Sequence, residues 1–367
     1  MTTSVKINNM SLSIGIVGLP NVGKSTLFNA LTDSNILAAN YPFATIEPNT
    51  GIVPVPDSRL AALAALYKAA RIVPATVTFV DIAGLVAGAS KGEGLGNQFL
   101  ANIRSCNAIA HVVRAFADPN VTHVDSAHDP KRDIEVINTE LCLADLVTVE
   151  RRLQKIDKEV KADPKLAPLK ELLIRIQNLL NETTPLHLVD GLDTGLIADL
   201  QLLTAKPVVY VFNVDEATLQ DTAKCQQLQS LVSPAPSVFV CAKLEDELRS
   251  LDENDRVELL ASYGQKESGL VQVIHAAYDL LGLQSYLTAG EKEVRAWTVK
   301  KGATAPEAAG VIHGDFEKGF IAAQIVNYDD LIAAGSEQAA KAAGKVRTEG
   351  KTYTMQDGDV VEFRFNV

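Results

Sequence analysis

The chain has 367 residues, 47% of them hydrophobic and 22% charged, with a formal net charge of −11. That length suggests two or three domains, and the composition excludes a disordered or fibrous chain. The acidic balance excludes a protein that coats nucleic acid or an anionic membrane with its whole surface.

The N-terminus, MTTSVKINNMSLSIGIVG, has no long apolar core before a small-residue cleavage site and does not read as a signal peptide. No window reaches about 18 uninterrupted apolar residues, so no membrane span is expected. Cys106, Cys142, Cys225 and Cys241 show no CxxC spacing and lie near no His at metal-ligand spacing. They read as reduced thiols in a cytoplasmic protein.

Short β-branched runs recur along the first part of the chain: Ser13–Gly18, Thr76–Asp81, Ala108–Val113, Pro207–Val214 and Ser237–Cys241. Nearly continuous apolar runs fit strands buried on both faces of a mostly parallel sheet. Helical patterns follow them, at Lys24–Leu31 and Gly96–Ser105 for example, so the fold class is α/β with a doubly wound sheet. Between about Asp133 and Asn181 the pattern stays helical for longer than one crossover needs. Val149, Leu153, Ile156 and Val160 form one apolar seam, and Leu169, Leu172, Leu173 and Ile176 form a second. Asp163-Pro164 and Pro168 separate them, which reads as an inserted antiparallel helical hairpin. After about Leu283 the character changes. Val294–Val299, Gly319–Val326, Lys351–Met355 and Val360–Phe365 read as strands, and Asp357-Gly358 is a turn signal. The expected domains are 12–132 with 205–283, an insert over 133–204, and a small α+β domain over 284–367.

The segment Gly18-Leu19-Pro20-Asn21-Val22-Gly23-Lys24-Ser25 is G-x-x-x-x-G-K-S between an apolar strand and a helix. This is the context a phosphate-binding loop needs. Its glycines let the backbone fold around an anion, and the helix start adds a positive dipole end. Lys24 is expected to neutralise the β- and γ-phosphates and Ser25 to ligate Mg²⁺. Asp81-Ile82-Ala83-Gly84 ends the next strand as D-x-x-G: the Asp81 carboxylate suits a Mg²⁺-bound water, and the Gly84 N–H suits the γ-phosphate. Thr45, in Tyr41–Thr45, offers a further oxygen to Mg²⁺. The position after D-x-x-G, where many GTPases place a water-orienting Gln, is Leu85, so another group must position the attacking water.

Translation-factor-type GTPases read their base with Asn-Lys-x-Asp at the end of a later strand. Here that strand ends Asn213-Val214-Asp215-Glu216, with Asn213 in place, Val214 at the Lys position and Glu216 at the Asp position. From these residues alone, altered base choice and drift that retains guanine both stay open. The next strand ends Cys241-Ala242-Lys243, similar to the Ser-Ala-Lys that backs the base.

Taken together, the chain resembles the YchF-type Obg-like ATPases of the translation-factor-related P-loop GTPases. The resemblance rests on Gly18–Thr26, Tyr41–Gly51, Asp81–Leu100, Asn213–Glu216, Val294–Ile321 and Asp357–Val367, and it covers nearly the whole chain. It implies a G domain, the helical hairpin and a C-terminal ubiquitin-like β-grasp (TGS) domain. It also implies that the Asn-x-x-Glu form accommodates adenine, so that ATP is hydrolysed in preference to GTP. The nucleotide-binding set it implies is Gly18, Asn21, Val22, Gly23, Lys24, Ser25, Thr26, Asp81, Gly84, Asn213, Glu216 and Ala242. Ser25 and Thr45 match the Mg²⁺ ligands, and Asn21 matches a position that helps hold K⁺ in related K⁺-stimulated NTPases. His123, in the loop after the third strand, matches the residue considered to replace the missing Gln; read from the sequence alone, a lone loop His is more often a solvated or capping residue. His111, inside an apolar strand, reads as a satisfied core histidine. Ala44 stands where some relatives carry a Cys, which puts thiol-based redox control in doubt.

The family implies a ribosome or another RNA-containing translation complex as partner, and the chain is expected to be monomeric. Arg151–Arg175 holds eight Lys/Arg against four Asp/Glu, in a chain that is acidic overall. Arg151, Lys155 and Lys158 share a helix face away from the apolar seam, a face that suits RNA and equally suits plain solvent. Two alternatives stand beside an ATPase: an Obg-type GTPase, and a nucleotide-gated binding module with negligible hydrolysis.

Overall fold

The computed structural model describes residues 12–32, 49–82, 95–116 and 129–366. In chain order the elements begin with β1 (Ser13–Val17), α1 (Lys24–Thr32), β2 (Thr50–Pro54), α2 (Ser58–Tyr67), β3 (Ile72–Val73), β4 (Thr76–Asp81), α3 (Leu95–Ser105) and β5 (Ala108–Ala115). Helices α4 (Pro130–Ala162) and α5 (Ala167–Asn181) follow, with a 3₁₀ turn over Pro164–Leu166 between them. Next come β6 (Val208–Val214), α6 (Glu216–Gln220), α7 (Thr222–Ser230), β7 (Ser237–Val240), α8 (Ala242–Arg249), α9 (Glu253–Ser262) and α10 (Gly269–Leu280). The last are β8 (Leu283–Ala289), β9 (Val294–Lys300), α11 (Ala305–Ile312), α12 (Gly314–Lys318), β10 (Phe320–Asn327), α13 (Tyr328–Ala334), α14 (Glu337–Ala342), β11 (Arg347–Glu349) and β12 (Asp359–Phe365).

The chain packs as two compact units. One takes the chain up to Val53 and again Thr78–Ala277; the other takes Pro54–Val77 and the chain from Tyr278 onward. Residues 54–77 therefore pack with the C-terminal unit, although the sequence reading puts them in the first domain. The reason is pairing: Ile72 and Val73 of β3 lie parallel to Val294 and Arg295 of β9.

The first unit is built on a six-stranded sheet of order β2-β4-β1-β5-β6-β7. The strands β4, β1, β5, β6 and β7 run parallel. β5 is buried along its whole length, as its nearly continuous apolar run requires, with His111 and Arg114 buried among the apolar residues. The N-terminal half of α4 packs on β5 and buries Ile134, Ile137 and Leu141. The same helix then runs on as the first arm of the hairpin. Val149 and Ile156 meet Leu173, Ile176 and Leu180 in a closed core, with Leu153, Val160, Leu169 and Leu172 packed against it. Asp163 caps both sides of the turn: its N–H bonds to the Glu159 carbonyl, and its carboxylate accepts from Lys165 N–H. At the base of the hairpin the buried Asp145 accepts from Leu203 N, Thr204 N and Thr204 Oγ1 at 2.9, 2.8 and 2.7 Å. Burial pushes its carboxyl above the usual range, and these bonds pull it back.

The second unit has a six-stranded sheet of order β11-β10-β12-β8-β9-β3. Its first and last long strands, β8 and β12, lie parallel in the middle, with antiparallel β9 and β10 outside them, which is a β-grasp arrangement. Ala305, Ala308 and Ala309 of α11 pack on Tyr286, Phe320 and Val361. Asp357-Gly358 makes the expected turn. Gly358 has φ 79°, and Asp357 accepts from Ser285 N and from Arg59 Nη1 of α2. One strand reading is corrected. Lys351–Met355 is a turn, because Tyr353 and Met355 bond to the backbone of Ala305 and Ala303 ahead of α11 and make one bridge rather than a ladder. The third strand of that edge is Arg347–Glu349.

Replacing Asp145 by Ala strands three buried donors. A loss of about 3 kcal/mol is expected, read as a lower urea midpoint at unchanged slope. A loss under about 0.5 kcal/mol, the size of an ordinary surface change, would overturn this role.

Candidate nucleotide-binding site

The loop between β1 and α1 lies at the carboxyl edge of the sheet, where doubly wound folds bind ligands. Its conformation depends on two glycines. A Cβ on Gly18 would sit 2.5 Å from the Val112 carbonyl, and one on Gly23 would sit 2.5 Å from Asn213 Nδ2. Gly23 has φ 99° and Asn21 has φ 63°, a left-handed conformation that Asn tolerates best after Gly. Such alternation builds a concave row of N–H groups suited to an anion, and α1 begins directly behind it.

Lys24 opens α1 and is buried, with Nζ donating to the Leu19 carbonyl at 2.6 Å. Burial lowers its pKa to about 8, against a smaller opposing pull from Asp81. Ser25 Oγ donates to Asp81 Oδ2 at 3.2 Å. The second Asp81 oxygen, Oδ1, is buried with no hydrogen-bond partner among the described residues. A hydroxyl beside a half-satisfied buried carboxylate fits a hydrated divalent cation, whose bound water supplies the missing donor.

On the base side, Asn213 Nδ2 donates to the Val22 carbonyl at 3.1 Å and ties β6 to the loop. Asp215 is the N-cap of α6 and accepts from Thr218 N; the Thr218 hydroxyl first and its N–H second hold the carboxyl below the usual range. It is a capping residue. Glu216, the first residue of α6, accepts from Lys243 Nζ at 2.7 Å and from Tyr263 OH at 3.0 Å. Ala242 starts α8, so its backbone sits at a helix N-terminus. A cavity of about 370 Å³ lies between α1 and the start of α8, lined by Gly23, Thr26, Ala30, Asn213, Ala242 and Arg249 among others; Lys24, Ser25, Asp81 and Glu216 do not line it.

The structure thus brings together Gly18, Asn21, Val22, Gly23, Lys24, Ser25, Thr26, Asp81, Asn213, Glu216 and Ala242 at one edge of the sheet. Thr45, Gly84 and His123 lie outside the described residues, as do Ala44 and Leu85. His111 is a core residue: it packs on Tyr210 with ring centroids 5.1 Å apart, and burial holds it neutral, with a pKa of about 3. Sequence reading missed Tyr263, whose only signal is a tyrosine at the end of a helix 47 residues from its partner. The four cysteines are free thiols, and among the described residues no helix is long and apolar enough to cross a membrane.

Two family models match the chain: a 50S ribosome-binding GTPase over residues 13–162, and the C-terminal region of YchF-type GTPases, described as a protein of unknown function, over 283–366. The chain is 53% identical over 364 residues to a ribosome-binding ATPase YchF of Haemophilus influenzae, covering 98% of this chain and all of that one. It is 51% identical over 366 residues to the protein of the same name from Bacillus subtilis, with the same coverage. Among solved structures, the Schizosaccharomyces pombe YchF GTPase superposes with a TM-score of 0.84 at 40% identity, covering 96% of this chain and 98% of that one. A GTP-binding protein from Pyrococcus horikoshii superposes with a TM-score of 0.58 at 23% identity over 97% of this chain and all of that one, which speaks to the fold alone. With a phosphate loop, a hairpin insert, a β-grasp unit and end-to-end relatives at this level of identity, the chain belongs to the YchF family of P-loop NTPases.

Proposed function

We propose that this protein is a Mg²⁺-dependent ATPase that prefers ATP to GTP and works as a nucleotide-gated regulator on the ribosome, in the cytoplasm. The observation that carries the reading is the Lys24–Ser25–Asp81 group, with a buried, half-satisfied carboxylate beside a helix N-terminus. The relatives' printed name, ribosome-binding ATPase, supports the nucleotide and the partner.

Ser25, Thr45 and a water on Asp81 are the groups that would hold Mg²⁺, which when bound neutralises phosphate charge. The rest of the work belongs to the chain. Loop N–H groups from Gly18 to Thr26 and the Lys24 ammonium stabilise negative charge on the transferring phosphoryl group, the dominant requirement of this chemistry. The Gly84 N–H meets the γ-phosphate, and Asn21 is the candidate K⁺ contact. Asn213, Glu216 and Ala242 receive the base. Leu85 cannot orient water, so intrinsic turnover is slow, and His123 is the proposed replacement.

The partner reading rests on the hairpin. Arg151, Lys155 and Lys158 are exposed on α4 and make no ion pair among the described residues, whereas Arg152 pairs with Glu159 and Lys170 with Asp157. A phosphate backbone is the chemistry that such a row of exposed cations fits.

Titrating labelled ATP and GTP, with and without K⁺, decides the nucleotide; tighter GTP binding overturns the ATP reading. In the same assays Lys24→Ala should lose nucleotide binding, while His123→Ala should keep binding and lose about a hundredfold in turnover. Unchanged turnover removes His123 from the mechanism. Turnover that stays negligible even with ribosomes present favours the binding-module alternative.

The lowered pKa of Lys24 gives a pH signature. Below about pH 8 its amine is already charged; above that it is neutral until a polyphosphate draws it back up. Calorimetry at pH 8.5 in buffers of different ionisation enthalpy should therefore show proton uptake on ATP binding, and at pH 6.5 none from this group. No uptake at pH 8.5 contradicts it.

Reversing Lys155 and Lys158 to Glu should weaken ribosome co-sedimentation and flatten its salt dependence. Unchanged co-sedimentation excludes this face.

A further inference from the structure

The carboxylate at the end of the base-reading motif is gripped from two sides. Lys243 Nζ donates to Glu216 Oε2 at 2.7 Å, and Tyr263 OH donates to Glu216 Oε1 at 3.0 Å. Lys243 is the second residue of α8 and Tyr263 is the C-cap of α9, so two further elements converge on the first residue of α6. The Glu216 side chain is 32% exposed and that of Lys243 67%. An ion pair this open adds little to stability, so its effect is on where the carboxylate points. Both donors also hold the Glu216 carboxyl below the usual range, which keeps it a pure acceptor.

The two purines ask different things of such an acceptor. Guanine presents two donors side by side, its N1–H and its 2-amino group, and needs both carboxylate oxygens turned toward one edge. Adenine presents one donor, its 6-amino group, beside an acceptor nitrogen. Glu216 has each oxygen tied to a different element. Each oxygen has a second lone pair, so one further donor is accepted with both ties in place; turning both oxygens to a single edge for a pair of donors instead draws at least one of them off the element that holds it. A charged hydrogen bond broken without replacement weighs against the ligand that breaks it.

We propose that Lys243 and Tyr263 are positioning residues that set base choice: they fix Glu216 so that it takes adenine's single donor and disfavours guanine's pair. The proposal rests on the reading of ATP as the preferred nucleotide. It adds two residues to the specificity pocket, neither of which belongs to the Asn-x-x-Glu motif.

The test is ATP and GTP binding by calorimetry on the full chain, comparing wild type, Lys243→Ala, Tyr263→Phe and the double variant. In the double variant the preference for ATP over GTP should fall by about tenfold. Lys243→Arg, which keeps a charged donor, should preserve the preference. Tyr263→Phe should lower the ATP-to-GTP ratio in the wild-type chain and leave it where it was in a Glu216→Ala chain; a tyrosine acting by any route other than Glu216 would move the ratio in both or in neither. An unchanged ratio in a double variant that melts at the wild-type temperature overturns the proposal. If the double variant does not fold, Tyr263→Phe alone, which removes one hydroxyl, carries the same test with the same two outcomes. A wild-type chain that prefers GTP overturns the ATP reading instead, and movement of the ratio on freeing Glu216 still decides the positioning role.

Discussion

The contact between Asn213 and the phosphate loop is the constraint on which the site depends. The Asn213 amide donates to the Val22 carbonyl and passes so close to Gly23 that any side chain at position 23 would collide with it. Gly23 in turn takes a φ that few other residues adopt. Phosphate loop and base pocket are thereby one body, although 191 residues separate the bonded partners. Everything upstream serves that contact. β1 and β6 flank β5 in the sheet, and Val112 of β5 closes on Gly18 from beneath.

The hairpin insert is anchored to the same body by continuity rather than by a joint. α4 is 33 residues long; its first turns cover β5 and its last turns form the hairpin. Among the described residues no loop interrupts the helix between sheet and tip. Asp145 pins the return of the chain at Leu203 and Thr204, just before β6. The strand that carries Asn213 and leads into Glu216 therefore starts from the base of the element that carries the exposed basic row.

Much of this was legible because its causes are local. Buried parallel strands write themselves as apolar runs, and four of the five read from the first part of the chain lie within a residue or so of their observed limits; β5 runs two residues further. The phosphate loop is legible because only glycine fits at two fixed positions. The hairpin is legible from its two seams and the Asp163-Pro164 break. What the reading missed is non-local. Residues 52–73 belong to the expected first domain with no helix or strand expected in them, although Asp57 caps α2 and Leu60 and Leu63 mark its buried face. That these residues pack with the C-terminal unit depends on β3 pairing with β9, which no local pattern announces. Lys351–Met355 has the composition of a strand but finds its backbone partners in the loop before α11. The grip on Glu216 comes from residues 27 and 47 positions away, on helices whose packing no motif encodes.

The excursion of residues 54–77 ends on a strand that serves the site. The chain leaves the first sheet after β2, pairs β3 with β9, and returns as β4. β4 is six residues long and ends at Asp81, the carboxylate that meets Ser25. One short strand therefore joins the phosphate side of the site covalently to the second unit. β4 is also held laterally by its register with β1, from Ser13↔Thr78 to Ile16↔Asp81. Asp81 is therefore placed by that register: a one-residue slip of β4 along β1 costs hydrogen bonds and turns each side chain of the strand to the wrong face, which would take the carboxylate away from Ser25.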